Sequence, residues 1–234
     1  MRFIDRRDAG RRLGAAADLR KYHGHEKTMV VGLARGGVPV AAEVADALQL
    51  PIGVLVVRKL GWPSQQELAM GAMTSAGMRL LKPGSVPDAV LQEAAFREGQ
   101  TLARREERYR AFAPPPEVRG LRVLLVDDGL ATGASMLAAI AWARKQGAKE
   151  VVVAVPVAPA STCEEVAREA DEFVVLLQPS DFVAVGQFYE DFEQVTDEAV
   201  ESCLRSAVAA RCGPALRHPE RWGSAVDGWD GGSS

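Results

Sequence analysis

Three cysteines in 234 residues, Cys163, Cys203 and Cys212, are too few and wrongly spaced for a disulfide framework or a CxxC metal site. Their odd number points to a reducing compartment. No run of about 18 apolar residues occurs, which excludes an apolar membrane-spanning helix. The opening MRFIDRRDAGRRLG lacks the apolar core of a secretory signal. A soluble, cytoplasmic protein is expected. Neither charge dominates: 28 Lys and Arg against 31 Asp and Glu give a net charge of -3. A chain that coats nucleic acid or a membrane carries a basic excess, so neither partner is expected. Internal repeats and coiled-coil heptads are also missing. Aromatics make up only 6% of residues, yet four of them, Phe182, Phe188, Tyr189 and Phe192, crowd into one stretch.

What is present is ordinary globular material, 47% hydrophobic, with enough chain for one large core. Short β-branched runs alternate with helical patterns, the mark of βαβ units and a mostly parallel sheet. Core strands are predicted at 28–33, 52–57, 121–126, 150–155 and 172–177, and short strands at 70–75 and 78–81. Helices are predicted at 8–22, 38–48, 87–112, 136–146, 161–170 and 197–209, with Ser161 as an N-cap. Residues 59–68 and 178–196 read as irregular. On the long helix, Glu93 with Arg97 and Glu106 with Arg110 are spaced to pair. The expected fold is α/β, a mostly parallel twisted sheet flanked by helices. One domain over 1–212 and a disordered Gly/Ser/Pro-rich tail over 213–234 are expected.

The strongest chemical signal is VLLVDDGLATGAS, Val123 to Ser135. A buried strand delivers two carboxylates, Asp127 and Asp128, at its carboxyl end, where open α/β sheets bind ligands. The loop Ala131, Thr132, Gly133, Ala134, Ser135 then runs into a helix. Small residues let its backbone close on an anion, and N–H groups at the helix start face a phosphate. Two acids beside a phosphate repel it unless they hold hydroxyls or a metal. The pattern therefore asks for a phosphate joined to a diol, as in a ribose 5-phosphate. The GK[ST] ending of a Walker loop is absent.

A second turn, GLARGGVPVA over Gly32 to Ala41, also leaves a strand and opens a helix. Arg35 supplies a donor fork suited to phosphate oxygens. Taken alone it is also an imperfect dinucleotide fingerprint, Gly32, Ala34, Gly37. The next strand then ends in Arg58-Lys59 rather than an acid, which leaves an NADP site as an alternative.

VLLVDDGLATGASM resembles the signature of type I phosphoribosyltransferases, and the resemblance extends over roughly residues 1–208. It is similar to the group of unassigned acceptor. It implies that Asp127 and Asp128 hold the ribose hydroxyls of 5-phosphoribosyl-1-pyrophosphate (PRPP) and that Ala131 to Ser135 hold its 5-phosphate. Magnesium is implied as cofactor, held mainly by the ligand, with Asp127 and Asp128 acting directly or through water. Arg35, Gly36 and Gly37 are implied to bind pyrophosphate, with a cis peptide at Ala34–Arg35. Lys59, on a loop that closes over the ligand, is the expected side chain for the leaving pyrophosphate; a solvated strand end is the alternative. Trp62 reads equally as a lid contact or a surface loop residue.

The aromatic stretch resembles the hood of purine phosphoribosyltransferases, with Phe182 matching the ring that stacks on the base. These rings could equally staple the last loop to the core. Two departures stand out. The 6-oxopurine enzymes carry an acidic base catalyst where this chain has Ala131, and a lysine before the hood where Val151 to Pro159 has none. A hypoxanthine or guanine acceptor is therefore not expected, and no general base is identifiable. His23, His25 and His218 read as exposed structural residues. The expected activity is transfer of phosphoribosyl to a nucleobase-like nitrogen, with Arg35, Lys59, Asp127 and Asp128 as catalytic residues and a homodimer implied. A PRPP-sensing regulator is the alternative. Arg6, Arg7, Arg11, Arg12, Arg20 and Lys21 form a basic face that reads as an RNA surface, a solvated face or a dimer contact.

Overall fold

The computed structural model describes residues 2–62, 65–80 and 86–211. Along the chain, α1 (Arg6–Gly14) and α2 (Ala17–Arg20) precede β1 (Thr28–Ala34), α3 (Gly37–Leu48), β2 (Ile52–Val56), β3 (Arg58–Trp62), β4 (Gln65–Thr74), β5 (Gly77–Leu80) and α4 (Asp88–Arg110). Then come β6 (Arg122–Val126), α5 (Ala134–Lys145), β7 (Glu150–Val157), α6 (Ala160–Ala167), β8 (Glu172–Leu177) and α7 (Asp197–Arg211). The expected disordered tail, 213–234, lies outside the described residues.

Five parallel strands form the main sheet in the order β2-β1-β6-β7-β8. Both faces are covered, which is why these strands read as unbroken apolar runs. Val123 and Leu125 face α5 and α6, packing with Met136, Ile140 and Val166. Leu124 and Val126, one residue out of phase, face α1 and α3 among Leu13, Val40 and Val44. Each such buried side chain contributes about 1.5–3 kcal/mol.

From β1 the chain crosses through α3 to β2 on one side. From β6 it crosses through α5 to β7 on the other. The direction of travel reverses between β1 and β6, so their carboxyl ends open the crevice where doubly wound sheets place ligands. Gly32 of β1 lies level with Val126 of β6. The turn after Ala34 therefore stands beside Asp127 and Asp128.

Four expectations need correction. The opening helix is two helices, broken at Ala16, whose backbone is extended. It starts at Arg6 because Asp5 caps it, accepting from the Asp8 amide at 2.7 Å. The stretch read as irregular, 59–68, is instead largely the antiparallel β3–β4 hairpin, whose register shifts at Leu60/Gly61 and Gly61/Trp62. Those irregularities break the period-2 pattern that marks a strand. Ser161 is not a cap; Pro159 holds that position. On α4, Arg97 meets Glu98 at 3.6 Å and Arg110 meets Glu107 at 3.4 Å, in place of the expected i,i+4 pairs.

The aromatic segment folds as loop with a 3-10 turn at Val185–Phe188, and it is not alone. The Phe3 amide donates to the Phe188 carbonyl at 2.8 Å, Glu190 N–H to the Phe3 carbonyl at 2.8 Å, and Asp191 N–H to the Ile4 carbonyl at 2.9 Å. The hood is thus built from two segments far apart in sequence. Its core holds Phe3, Ala9, Val157, Phe188 and Tyr189.

α1 reaches its place by lying close on α3. A Cβ at Gly10 would stand 2.7 Å from the Val40 carbonyl oxygen and 2.8 Å from Glu43 Cβ. Gly10→Ala should therefore destabilise the protein despite alanine's higher helix propensity, since overpacking costs about 1–3 kcal/mol. A melting temperature lower by roughly 2–8 °C is expected by calorimetry; a rise would mean α1 is free to move off α3.

Candidate functional site

The site begins where β1 and β6 end. The Ala34–Arg35 peptide is cis, at the position the resemblance implies. The turn then passes through Gly36 and Gly37 into α3 and rests directly on the two carboxylates. A Cβ at Gly36 would fall 2.1 Å from Asp128 Oδ2. One at Gly37 would fall 2.6 Å from the Val126 carbonyl and 2.8 Å from Asp127 Cα. Glycine is required here by contact, and the turn and the acid pair form one wall.

Asp127 Oδ1 accepts from the Asp128 amide at 2.9 Å. Burial, and next the Asp128 charge, push the Asp127 carboxyl well above the usual carboxylate range. Burial also raises Asp128, opposed by Arg6 and Lys59. Lys59, on β3, is exposed, and its charge favours ionisation of both acids. The two carboxylates offer the hard oxygen donors that magnesium takes, few enough to suit an ion that keeps most of its coordination from water and phosphate oxygens. Among the described residues no group of three or more His, Cys, Asp or Glu could hold a metal.

Beyond the acids, Leu130 N–H donates to the Val157 carbonyl at 2.9 Å, anchoring the loop to β7. Ala131 and Thr132 are exposed. Gly133 takes a left-handed conformation, φ 73°, just before α5. Ala134 and Ser135 form the first turn of that helix, and the Ala134 amide makes a long hydrogen bond to Thr132 Oγ1 at 3.5 Å within the loop. Thr162 Oγ1 of α6 donates to the Ala131 carbonyl at 2.7 Å and braces the loop from behind.

Arg35 extends the other way. Its Nη1 lies 3.9 Å from Asp197 Oδ2 at the start of α7. Asp197 also takes Arg105 at 3.2 Å, and the Tyr109 hydroxyl donates to it. Burial lowers the Arg105 pKa, and the nearby Arg35 and Arg58 cations act in the same direction. Arg58, which a dinucleotide site would need, pairs instead with Glu98 at 2.7 Å.

Phe182 stacks on Phe188 with centroids 5.7 Å apart and an interplanar angle of 19°. The ring thus staples the hood. His25 sits beside Thr28 at the opposite end of β1 from Arg35, about 20 Å away at roughly 3.3 Å per residue. The basic face of α1 and α2 is largely neutralised: Arg7 and Arg11 meet Glu43, Arg12 meets Asp8, and Lys21 meets Glu172.

The sequence reading missed Arg6. Its Nε donates to Asp128 Oδ2 at 2.7 Å, Nη1 donates to the Glu193 carbonyl at 2.8 Å, and Cζ sits 3.9 Å from the centre of the Phe192 ring. Tyr189, also missed, donates its hydroxyl to the Asp128 carbonyl at 2.6 Å. Asp197 and Arg105 were missed as well. Only the Asp5–Asp8 capping pattern, which fixes where α1 starts, offered a signal for any of these.

Two outcomes test this wall. Asp127 has its pKa raised by folding, so the folded state favours its protonated form. Its contribution to stability is intact below the unfolded value, about 3.9, and is lost as pH rises toward the raised value. Asp127→Asn should thus melt higher than the ligand-free parent at pH 8, with the gap closing at pH 5; a constant gap would contradict the buried-acid reading. Gly37→Ala strikes backbone and should cost about 1–3 kcal/mol by denaturant unfolding. Gly36→Ala would drive a Cβ to 2.1 Å from Asp128 Oδ2, which Arg6 holds in place, and should cost a similar amount.

The sequence matches the phosphoribosyl transferase domain over residues 11–193. Two curated proteins of Mycobacterium tuberculosis, from strains CDC 1551 and H37Rv, are named as phosphoribosyl transferases. Each is 44% identical to this chain over 232 residues, covering 93% of this chain and 52% of its own length. The chain therefore spans about half the length of the curated relatives it matches. The crystal structure of TT1426 from Thermus thermophilus is 44% identical, with a TM-score of 0.73, covering 88% of this chain and 99% of that one. With the domain matched across most of its length, the chain belongs to the phosphoribosyl transferase family.

Proposed function

We propose that the protein binds PRPP with magnesium and transfers its 5-phosphoribosyl group to a nitrogen of a nucleobase-like acceptor, releasing pyrophosphate. The observation that carries this reading is the contact of Gly36 and Gly37 with Asp128 and Asp127. It supports the reading because the turn after β1 lies directly against the acid pair that precedes the small-residue loop, the arrangement expected of a site for pyrophosphate, ribose hydroxyls and a 5-phosphate.

Ala131 to Ser135 and the start of α5 receive the 5-phosphate. Asp127 and Asp128 accept from the ribose hydroxyls and oppose the positive charge that grows on the sugar. Arg35, the Gly36 and Gly37 amides and Lys59 draw the pyrophosphate charge away as the C1–oxygen bond breaks. The acceptor nitrogen forms the new bond to C1, and its proton passes to water. A magnesium ion on the ligand, beside Asp127 and Asp128, would neutralise the leaving group. Positioning supplies most of the acceleration, because Ala131 offers no base and the described histidines are remote. Phe182 is proposed as the edge of the acceptor site, its stacking on Phe188 fixing the ring in advance. A homodimer in the cytoplasm completes the reading.

A second reading, a PRPP sensor without turnover, is favoured by one feature: the lack of any base in the loop around Ala131. Titration of PRPP by calorimetry, with and without magnesium, decides the ligand. The two charge-assisted contacts carry about 1.5–3 kcal/mol each. Asp127→Asn/Asp128→Asn should therefore bind at least 100-fold more weakly than the parent. A folded parent that ignores millimolar PRPP would overturn both readings. Pyrophosphate release with a panel of bases then separates enzyme from sensor.

A further inference from the structure

We infer that Arg6 is a positioning residue of the ribose site, through which the two-part hood sets the Asp128 carboxylate. The inference rests on the reading of Asp128 as a ribose ligand. Arg6 lies before the segment that matches the family domain, residues 11–193, so that pattern assigns it no role.

The guanidinium is fixed in three directions at once. Nε holds Asp128 Oδ2, Nη1 holds the Glu193 carbonyl, and the Phe192 ring lies against its Cζ. Its side chain is 12% exposed and that of Asp128 is 14%. An arginine so enclosed cannot swing with solvent, so the oxygen it holds is fixed too. Asp128 Oδ2 is pressed on Gly36 and tied to Arg6, which leaves Asp128 Oδ1 and the second lone pair for ligand hydroxyls. The hood grips the same residue a second time through Tyr189, whose hydroxyl reaches the Asp128 carbonyl. Burial and the Asp128 charge push that phenol's pKa upward, so it stays a donor.

Arg6 is itself placed by the hood's amino-terminal half. Phe3 and Ile4 pair with Phe188, Glu190 and Asp191, and Asp5 caps α1 immediately before Arg6. A buried ion pair between partly enclosed groups adds little to folding stability once desolvation is counted. What it fixes is direction. The segment expected to meet the acceptor and the acid expected to meet the ribose therefore share one side chain.

The test is calorimetric titration of PRPP-magnesium and, separately, magnesium pyrophosphate into the full chain. Arg6→Met should weaken PRPP about 10- to 100-fold, the range of one charge-assisted hydrogen bond, and leave pyrophosphate within about threefold. Arg6→Lys keeps the charge without the fork and should recover part of the loss. In an Asp128→Asn background, Arg6→Met should add little. Equal weakening of both ligands would mark a merely structural role and overturn the inference, as would unchanged PRPP affinity. If Arg6→Met does not fold, Phe192→Leu, which takes the ring from Arg6 and from the Tyr189 that also holds Asp128, should weaken PRPP selectively by a smaller factor; no change there overturns it too. A parent that does not bind PRPP sinks the functional reading itself, whereas a binding parent with an indifferent Arg6→Met sinks only this inference.

Discussion

The site depends on the absence of two β-carbons. Gly36 and Gly37 let the turn after β1 lie against the acids after β6, closer than any side chain would allow. Strand order puts the two loops side by side at the reversal between β1 and β6; only the glycines let them touch. Under the proposed function, amides that bind phosphate would stand next to paired carboxylates, an electrostatic conflict. Close packing settles it by giving each group a fixed direction before any ligand arrives.

The acid pair itself carries an electrostatic cost. Asp127 is held above its ordinary pKa by burial and by its neighbour, which costs stability wherever the carboxyl must ionise. Arg6 and Lys59 offset it in part. Functional sites commonly hold such a cost, and the core around Leu124, Leu125 and Ile140 has ample burial to support it.

The main sheet was legible because parallel strands buried on both faces become continuous apolar runs, as in VLLV before Asp127. The strand, acid pair and helix start of the candidate phosphate loop were legible because they are contiguous: acids, small residues and helix start follow one another within 13 residues. The cis peptide position followed from the family resemblance. Other features are set by contacts that sequence spacing does not record. Arg6 and Asp128 are 122 positions apart. Asp197 gathers cations from α4 and from the turn after β1. The β3–β4 hairpin escaped because Gly61 and the adjoining register shifts erase the alternation a strand is recognised by. Phe182 was visible as an aromatic, but its stacking on Phe188 belongs to three-dimensional packing.

The pairing of Phe3 and Ile4 with residues 188–191 has a consequence for protein engineering. A hood made of one loop can be exchanged as a cassette between relatives. Here a transplanted 178–196 would arrive without its backbone partners Phe3 and Ile4 and without Arg6 of α1. A chimera must carry residues 2–8 along with it, as two coordinated pieces of a single exchangeable part.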